Sequence, residues 1–230
     1  MIISGLQKLT LLDYPEKIAC TVFFGGCNFR CPFCHNGTLV KNPKEYDRII
    51  EEDFFDFLSK RKGVLEGVCI TGGEPTLQND LPLFIKRIKD MGFLVKLDTN
   101  GYKPDVLISL VEEGLLDFVA MDIKNSKQKY AETVAVSDFD IKNIEKSAEY
   151  LLNGKIDYEF RTTVVKELHT PDDIISISKW ISDAKNYYLQ SFKDSGDILC
   201  GSFSAYDEKE MKSLLNLSLD YNKNTKLRGI

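Results

Sequence analysis

Two periods of hydrophobic spacing alternate along the chain. A period of two marks Ile18 to Phe24, where Ile18, Cys20, Val22 and Phe24 share one face and Thr21 interrupts the other. Short apolar runs follow at Gly67 to Thr71, Phe93 to Thr99, Asp117 to Ile123, Tyr158 to Val165 and Tyr187 to Phe192, so six strands are predicted. Between them apolar residues recur at helical spacing. Glu51 to Lys60 carries Phe54, Phe55, Phe57 and Leu58, and Asp80 to Met91 carries Leu81, Phe84, Ile85 and Ile88. Further helices are predicted from Pro104 to Gly114, near Asp138 to Asn153, from Pro171 to Ala184 and from Asp207 to Leu217.

Strands alternating with helices imply an α/β fold with a parallel sheet. An open doubly wound sheet and a barrel both fit the length of 230 residues. The polar residues bear on the choice. Thr71 to Glu74, Asp98 to Asn100, Asp122 and Lys124, Arg161 to Thr163, and Gln190 all stand where predicted strands end. Five strands delivering polar groups to one rim suit a barrel mouth better than a single crevice.

Composition narrows the class. Hydrophobic residues make up 43% and charged residues 28%, as in a globular chain and unlike a disordered or fibrous one. The net charge of −5 argues against a general nucleic-acid binder, which needs clustered cations for phosphate. The apolar runs are too short for a membrane span, and no basic start followed by an apolar stretch opens the chain. A cytoplasmic location is expected, and with it thiols or metal ligands in place of disulfides.

Six cysteines are present, and three of them, Cys27, Cys31 and Cys34, fall within eight residues. Several chemistries compete for them. A zinc site of three Cys plus His35 is awkward, because Cys34 and His35 are adjacent. Cys31-Pro-Phe-Cys34-His35 matches the covalent haem pattern, which belongs to exported proteins. Three thiolates can also hold an iron–sulfur cluster and leave one iron open. Buried structural thiols are the remaining alternative. Cys20 and Cys69, inside strand patterns, are expected to be small core residues. His169, in a loop, is expected at the surface without a role.

Cys27-x3-Cys31-x2-Cys34 with the aromatic Phe33 resembles the cluster motif of the radical S-adenosylmethionine (SAM) superfamily. Other segments extend the likeness. Gly72-Gly73-Glu74-Pro75 resembles the motif that receives the SAM amino group. Leu97-Asp98-Thr99-Asn100-Gly101 resembles a segment of glycyl-radical activating enzymes in which Asp and Thr form a monovalent-cation site. Asp122-Ile123-Lys124 resembles a SAM-contacting DxK, its two charges sharing one strand face, and Arg161 resembles an arginine that reaches the SAM carboxylate. Gly5-Leu-Gln-Lys and Asp13-Tyr14-Pro15 resemble the lead-in of activating proteins for anaerobic ribonucleoside-triphosphate reductase, of the longer type. Pyruvate formate-lyase activating enzymes carry a His near the sixth strand where this chain has Gln190, which can hydrogen-bond to the adenosyl part instead.

The resemblance implies a partial (β/α)6 barrel over residues 18–217, with a lead-in at 1–17 and a tail at 218–230. It implies a [4Fe–4S] cluster on Cys27, Cys31 and Cys34. SAM would lie against Phe33, His35, Gly72, Gly73, Glu74, Asp98, Thr99, Asp122, Lys124, Arg161 and Gln190, with a monovalent cation near Asp98 and Thr99. The implied reaction is reductive cleavage of SAM to a 5′-deoxyadenosyl radical, which takes a hydrogen atom from a glycine of a partner enzyme. Anaerobic ribonucleoside-triphosphate reductase is the expected partner, with a flavodoxin- or ferredoxin-type electron donor. A pyruvate formate-lyase type activating enzyme, or a small-molecule radical SAM enzyme such as a deazapurine synthase, would keep the same motifs. The absence of a large lid segment suits entry of a polypeptide loop.

Overall fold

The computed structural model describes residues 3–42, 48–194 and 196–230. Eight strands form one sheet in sequence order: β1 (Ile3–Thr10), β2 (Ala19–Phe24), β3 (Gly67–Gly72), β4 (Leu94–Thr99), β5 (Phe118–Asp122), β6 (Asp157–Val164), β7 (Tyr187–Ser191) and β8 (Thr225–Arg228). β1 runs antiparallel to β2, and every later neighbour pair is parallel. An order that never reverses has no switch point, so the doubly wound alternative falls away. The fold is the partial barrel, with β1 and β8 as its two ends.

The helices are α1 (Gly37–Lys41), α2 (Glu51–Ser59), α3 (Leu81–Asp90), α4 (Pro104–Glu112), α5 (Tyr130–Val134), α6 (Ile141–Asn153), α7 (Pro171–Trp180) and α8 (Glu208–Leu219). Val68, Ile70, Val95, Leu97, Val119 and Phe160 are fully buried in one core with Phe84, Ile85, Leu107, Ile144 and Ile174 of the helices. The period of two then sends Cys69, Thr71, Lys96, Asp98, Asp122, Glu159 and Arg161 to the opposite, inner face. Among the described residues no helix is long and apolar enough to cross a membrane.

The structure differs from the sequence pattern at both ends. β1 lies inside the predicted lead-in, whose residues 1 and 2 fall outside the described residues. It is an edge strand with Gln7, Lys8 and Leu9 exposed, which blurs its alternation. β8 lies inside the predicted tail and is four residues long, too short for a periodic signal. The six predicted parallel strands therefore become seven, with one antiparallel strand added. Ile18 stands outside β2 and is exposed, because its carbonyl accepts from Glu66 and Gly67 below the strand. The five-residue helices α1 and α5 carry too few turns to show a period.

The lead-in also closes the bottom of the barrel. Tyr14 is buried, with its ring centroid 6.1 Å from that of Phe118. A Cβ at position 67 would stand 2.9 Å from Tyr14 ring carbons, so Gly67 is what lets the ring in. Asp13 accepts a hydrogen bond from Thr21 Oγ1 at 2.5 Å.

His169 is fully buried, contrary to its expected surface position. Its Nδ1 accepts the Val165 N–H at 3.1 Å, so Nε2 carries the proton and donates to the Lys124 carbonyl at 2.8 Å. Burial lowers its pKa, consistent with a neutral ring bridging two backbone groups. A period-based reading sees a loop histidine and cannot see this turn closing over it.

α7 is tied to the segment after β5. Asp173 accepts from Thr170 N at 2.9 Å, Lys129 Nζ at 2.7 Å and Ser126 Oγ at 2.9 Å, within a capping box. Burial opposes its charge, but Lys129 and the Thr170 and Ser126 donors outweigh it and bring its pKa down to about 2. A carboxylate with a lowered folded pKa stabilises above its ordinary range, and that contribution is lost as pH falls through the folded value. Asp173→Asn is therefore expected to cost about 2 kcal/mol at pH 7 and almost nothing near pH 2. Urea unfolding at both pH values checks this.

Candidate active site

The chain leaves β2 through Gly25 and Gly26 into the cysteine loop. Aromatic contacts hold the loop from both sides. Phe29 packs edge-on to Tyr102 at 5.4 Å, and Phe33 is buried edge-on to His169 and Phe203, each at 6.4 Å. The backbone adds Arg30 N to Val134 O at 2.9 Å and Cys200 N to Pro32 O at 3.1 Å. Cys27, Cys31 and Cys34 are all free thiols. Burial pushes the Cys27 thiol up to about 12 and the Cys31 thiol up to about 11, with Lys124 acting the other way on both.

The Gly72-Gly73 step brings β3 against this loop. The closest neighbour of each glycine is backbone of the protein itself. Gly72 has φ +119°, and a Cβ on Gly73 would lie 1.9 Å from Gly26 O. Glu74 N donates to that same Gly26 carbonyl at 2.8 Å. Gly73→Ala is expected to push the two loops apart at a cost of about 2–3 kcal/mol, read as a lower urea midpoint.

Glu74 is almost fully buried. Its carboxylate accepts from Thr76 N (3.2 Å), Thr76 Oγ1 (2.5 Å), Thr99 Oγ1 (2.8 Å) and Asn100 N (2.7 Å). Burial raises its pKa, with these donors opposing. Its side chain thus staples the end of β3 to the end of β4. The Thr99 hydroxyl is committed to the same bond.

The remaining charges form one chain of ion pairs across β4, β5 and β6. Lys124 Nζ meets Asp122 Oδ2 at 2.9 Å, Arg161 Nε meets Asp122 Oδ1 at 2.9 Å, and Arg161 Nη1 meets Asp98 Oδ2 at 3.1 Å. Lys96 Nζ bonds the other oxygen of Asp98. Burial alone would push Asp122 up, but Arg161 and Lys124 outweigh it and hold it well below the usual carboxylate range. Asp98 is lowered in the same sense by Arg161 and Lys96 against burial. Of these cations Lys124 and Arg161 line the cavity, where an anionic ligand group could meet them.

Every residue singled out in the sequence as cofactor- or metal-binding lines one cavity. Cys27, Cys31, Cys34, Phe33 and His35 come from the loop, Gly72, Gly73 and Glu74 from the end of β3, and Asp98 and Thr99 from β4. Asp122 and Lys124 follow from β5, Arg161 from β6 and Gln190 from β7. The His35 ring stacks on Phe192 at 5.3 Å. Four further residues take part, of which Asn36 and Lys96 escaped sequence reasoning and Asn100 and Thr163 were seen only as polar strand ends. Asn36 donates to Gly72 O at 2.9 Å, and Asn100 Nδ2 to Asn28 Oδ1 at 2.8 Å. Lys96 is two residues from Asp98 on the same strand face, a signal the sequence did offer. Thr163 lines the cavity two residues beyond Arg161.

The donor set fits an iron–sulfur cluster better than a single ion. Among the described residues no three His, Cys, Asp or Glu side chains converge tightly enough for one metal ion. Adjacent Cys34 and His35 are an awkward pair for one tetrahedral ion, whereas cluster thiolates each bond a separate iron. Asn28 Nδ2, beside Cys27, is buried with no acceptor in the protein. Sulfur acceptors at this place would complete it.

Comparison with known proteins agrees. Residues 21–181 match the sequence profile of the Radical SAM superfamily. The chain belongs to the radical SAM superfamily. Membership implies a [4Fe–4S] cluster and SAM. A protein of Methanocaldococcus jannaschii, provisionally named a glycyl-radical enzyme activating enzyme, is 36% identical over all of this chain and 96% of its own. The GTP 3′,8-cyclase of Campylobacter jejuni is 30% identical over 69% of this chain and 50% of the cyclase. Among solved structures, Streptococcus suis SuiB bound to precursor peptide SuiA superposes with a TM-score of 0.72 at 17% identity. That match covers 91% of this chain and 48% of SuiB, and it shows the shared fold. This radical SAM chain thus spans about half of SuiB and nearly all of its methanogen relative.

Proposed function

We propose that this radical SAM enzyme is a glycyl-radical activating enzyme. The observation that carries the reading is the meeting of three loop cysteines with a half-buried chain of ion pairs through Lys124 and Arg161 in one cavity. The whole-length methanogen relative supports the choice of an activating enzyme.

Cys27, Cys31 and Cys34 would hold three irons and leave the fourth for SAM. When bound and reduced, the cluster supplies the single electron that cleaves SAM to methionine and a 5′-deoxyadenosyl radical. The chain's own residues bind and orient. The backbone at Gly72 and Gly73 faces the SAM amino group, while Glu74 holds that backbone in place. Arg161 and Lys124 face the SAM carboxylate, and Asp98 and Asp122 keep both cations aimed. Phe33 braces the loop, and His35 and Gln190 border the adenosyl part. The monovalent cation beside Asp98 and Thr99 is not retained, since Asp98 already meets two cations and Thr99 donates to Glu74. No acid or base is needed for the step on the target, which moves a hydrogen atom.

The target is a backbone glycine of a partner protein, with anaerobic ribonucleoside-triphosphate reductase as the first candidate and pyruvate formate-lyase type enzymes next. A flavodoxin or ferredoxin would deliver the electron in a reducing cytoplasm, which the free thiols suit. The cyclase relatives favour one competing reading, a small-molecule substrate, although they share only half their length. Anaerobic reconstitution with SAM and reductant separates the two. A doublet glycyl-radical EPR signal on a candidate partner supports activation. Turnover of GTP or another free metabolite, with no radical on any partner, overturns it. Zinc without iron in the purified protein overturns the cluster.

A further inference from the structure

β8 brings a residue to the inner face that no motif predicted. Arg228 lies beside Gln190 in the β7–β8 register and packs over the Tyr188 ring, 3.8 Å from guanidinium carbon to ring centroid. From there it forks onto Glu159 of β6, Nη1 to Oε1 and Nη2 to Oε2, both at 2.8 Å. The Glu159 side chain is 3% exposed, so its charge must be matched by a cation.

Two cations are within reach of Glu159. Arg228 holds it at hydrogen-bond distance, and Arg161, two residues along the same strand face, stands at 3.9 Å. Arg161 makes its shorter contacts with Asp98, at 3.1 Å, and Asp122, at 2.9 Å. We propose that Arg228 is a positioning residue for the SAM site: by occupying Glu159 it keeps Arg161 aimed at the cavity. Without Arg228 the buried Glu159 has Arg161 as its nearest cation, and the guanidinium is drawn toward Glu159 at the expense of its contacts with Asp98 and Asp122. The C-terminal strand thereby sets how much positive charge the cavity offers. This inference rests on the reading of Arg161 as a SAM-carboxylate contact.

The test is SAM affinity of the anaerobically reconstituted protein, measured by equilibrium dialysis with labelled SAM. Arg228→Gln is expected to weaken binding by about tenfold or more. Glu159→Gln removes the competing charge and is expected to keep the wild-type affinity. Arg228→Gln combined with Glu159→Gln is expected to recover most of the loss, which a general weakening of the fold would not do. Wild-type affinity in Arg228→Gln, or no recovery in the double variant, overturns the proposal. Should Arg228→Gln fail to fold, Glu159→Gln still decides, because a tenfold loss there would make Glu159 a support of Arg161 and not its competitor. Wild-type protein that holds its cluster but binds no SAM overturns the underlying reading of the site, and the proposal with it.

Discussion

C31A is expected to remove the cluster and with it all reductive cleavage of SAM. Cys31 is the middle thiol of the loop and the most buried of the three, with the loop closing tightly around it through the Cys34 N to Cys31 O bond at 3.0 Å. Cys20 and Cys69 lie outside the loop and cannot replace it. Cys20 is buried in the helix-facing core, Cys69 lies down the barrel beside Lys96 and Asp98, and Cys200 is exposed. Loss of an outer partner of a metal ligand already costs about 10- to 100-fold, so loss of the ligand should exceed about 100-fold. Iron analysis and 5′-deoxyadenosine release after reconstitution measure both effects. The fold itself should persist, because the loop is held by Phe29, Phe33 and the backbone bonds of Arg30 and Cys200. A C31A protein with full iron and wild-type 5′-deoxyadenosine release would reject the ligand assignment.

Arg161→Ala is expected to damage both stability and SAM binding. The guanidinium joins Asp98, Asp122 and, at longer range, Glu159. Removing one partner of these half-buried pairs leaves charge uncompensated and costs about 2–4 kcal/mol, less than for a fully buried pair. For a domain of this size that is on the order of 10 °C in melting temperature. The pH dependence has a definite sign. Asp98 and Asp122 have lowered pKa values, so their stabilisation is full above the ordinary carboxylate range and is lost as pH falls through the folded values. The gap between wild type and Arg161→Ala should therefore be widest near neutrality and shrink below about pH 4. Arg161→Lys should recover only part of it, since one ammonium cannot reproduce the separate Nε and Nη1 contacts. An equal gap at pH 7 and pH 3 in thermal unfolding would show that the ion pairs are not its source.

Much of the site was legible because strand periodicity and motif position reinforce each other. Asp98, Asp122 and Arg161 could be placed at strand ends on one rim, since a period of two sends alternate residues inward once the apolar face is known. The cysteine spacing pointed to its chemistry for a similar local reason: ligands from one loop need no tertiary knowledge. What was illegible depended on partners distant in sequence. Gly72 and Gly73 line the cavity and are also pressed against the backbone of Phe24 and Gly26, a contact that no local spacing announces. Glu74 lines the cavity and also accepts from four donors of Thr76, Thr99 and Asn100, which the spacing of its motif did not announce. His169 was expected in solvent, and the Val165 turn and the Lys124 carbonyl bury it.

The sequence by itself determined the alternation of strands and helices, the inward polar face and the three-cysteine loop, all of which are written in spacings of a few residues. Only the tertiary structure decided that the sheet runs in unbroken order as a partial barrel, that Tyr14 closes its floor, and that Arg228 reaches Glu159. Those features join segments tens of residues apart, and their energies come from burial and charge pairing that exist only once the chain has closed on itself.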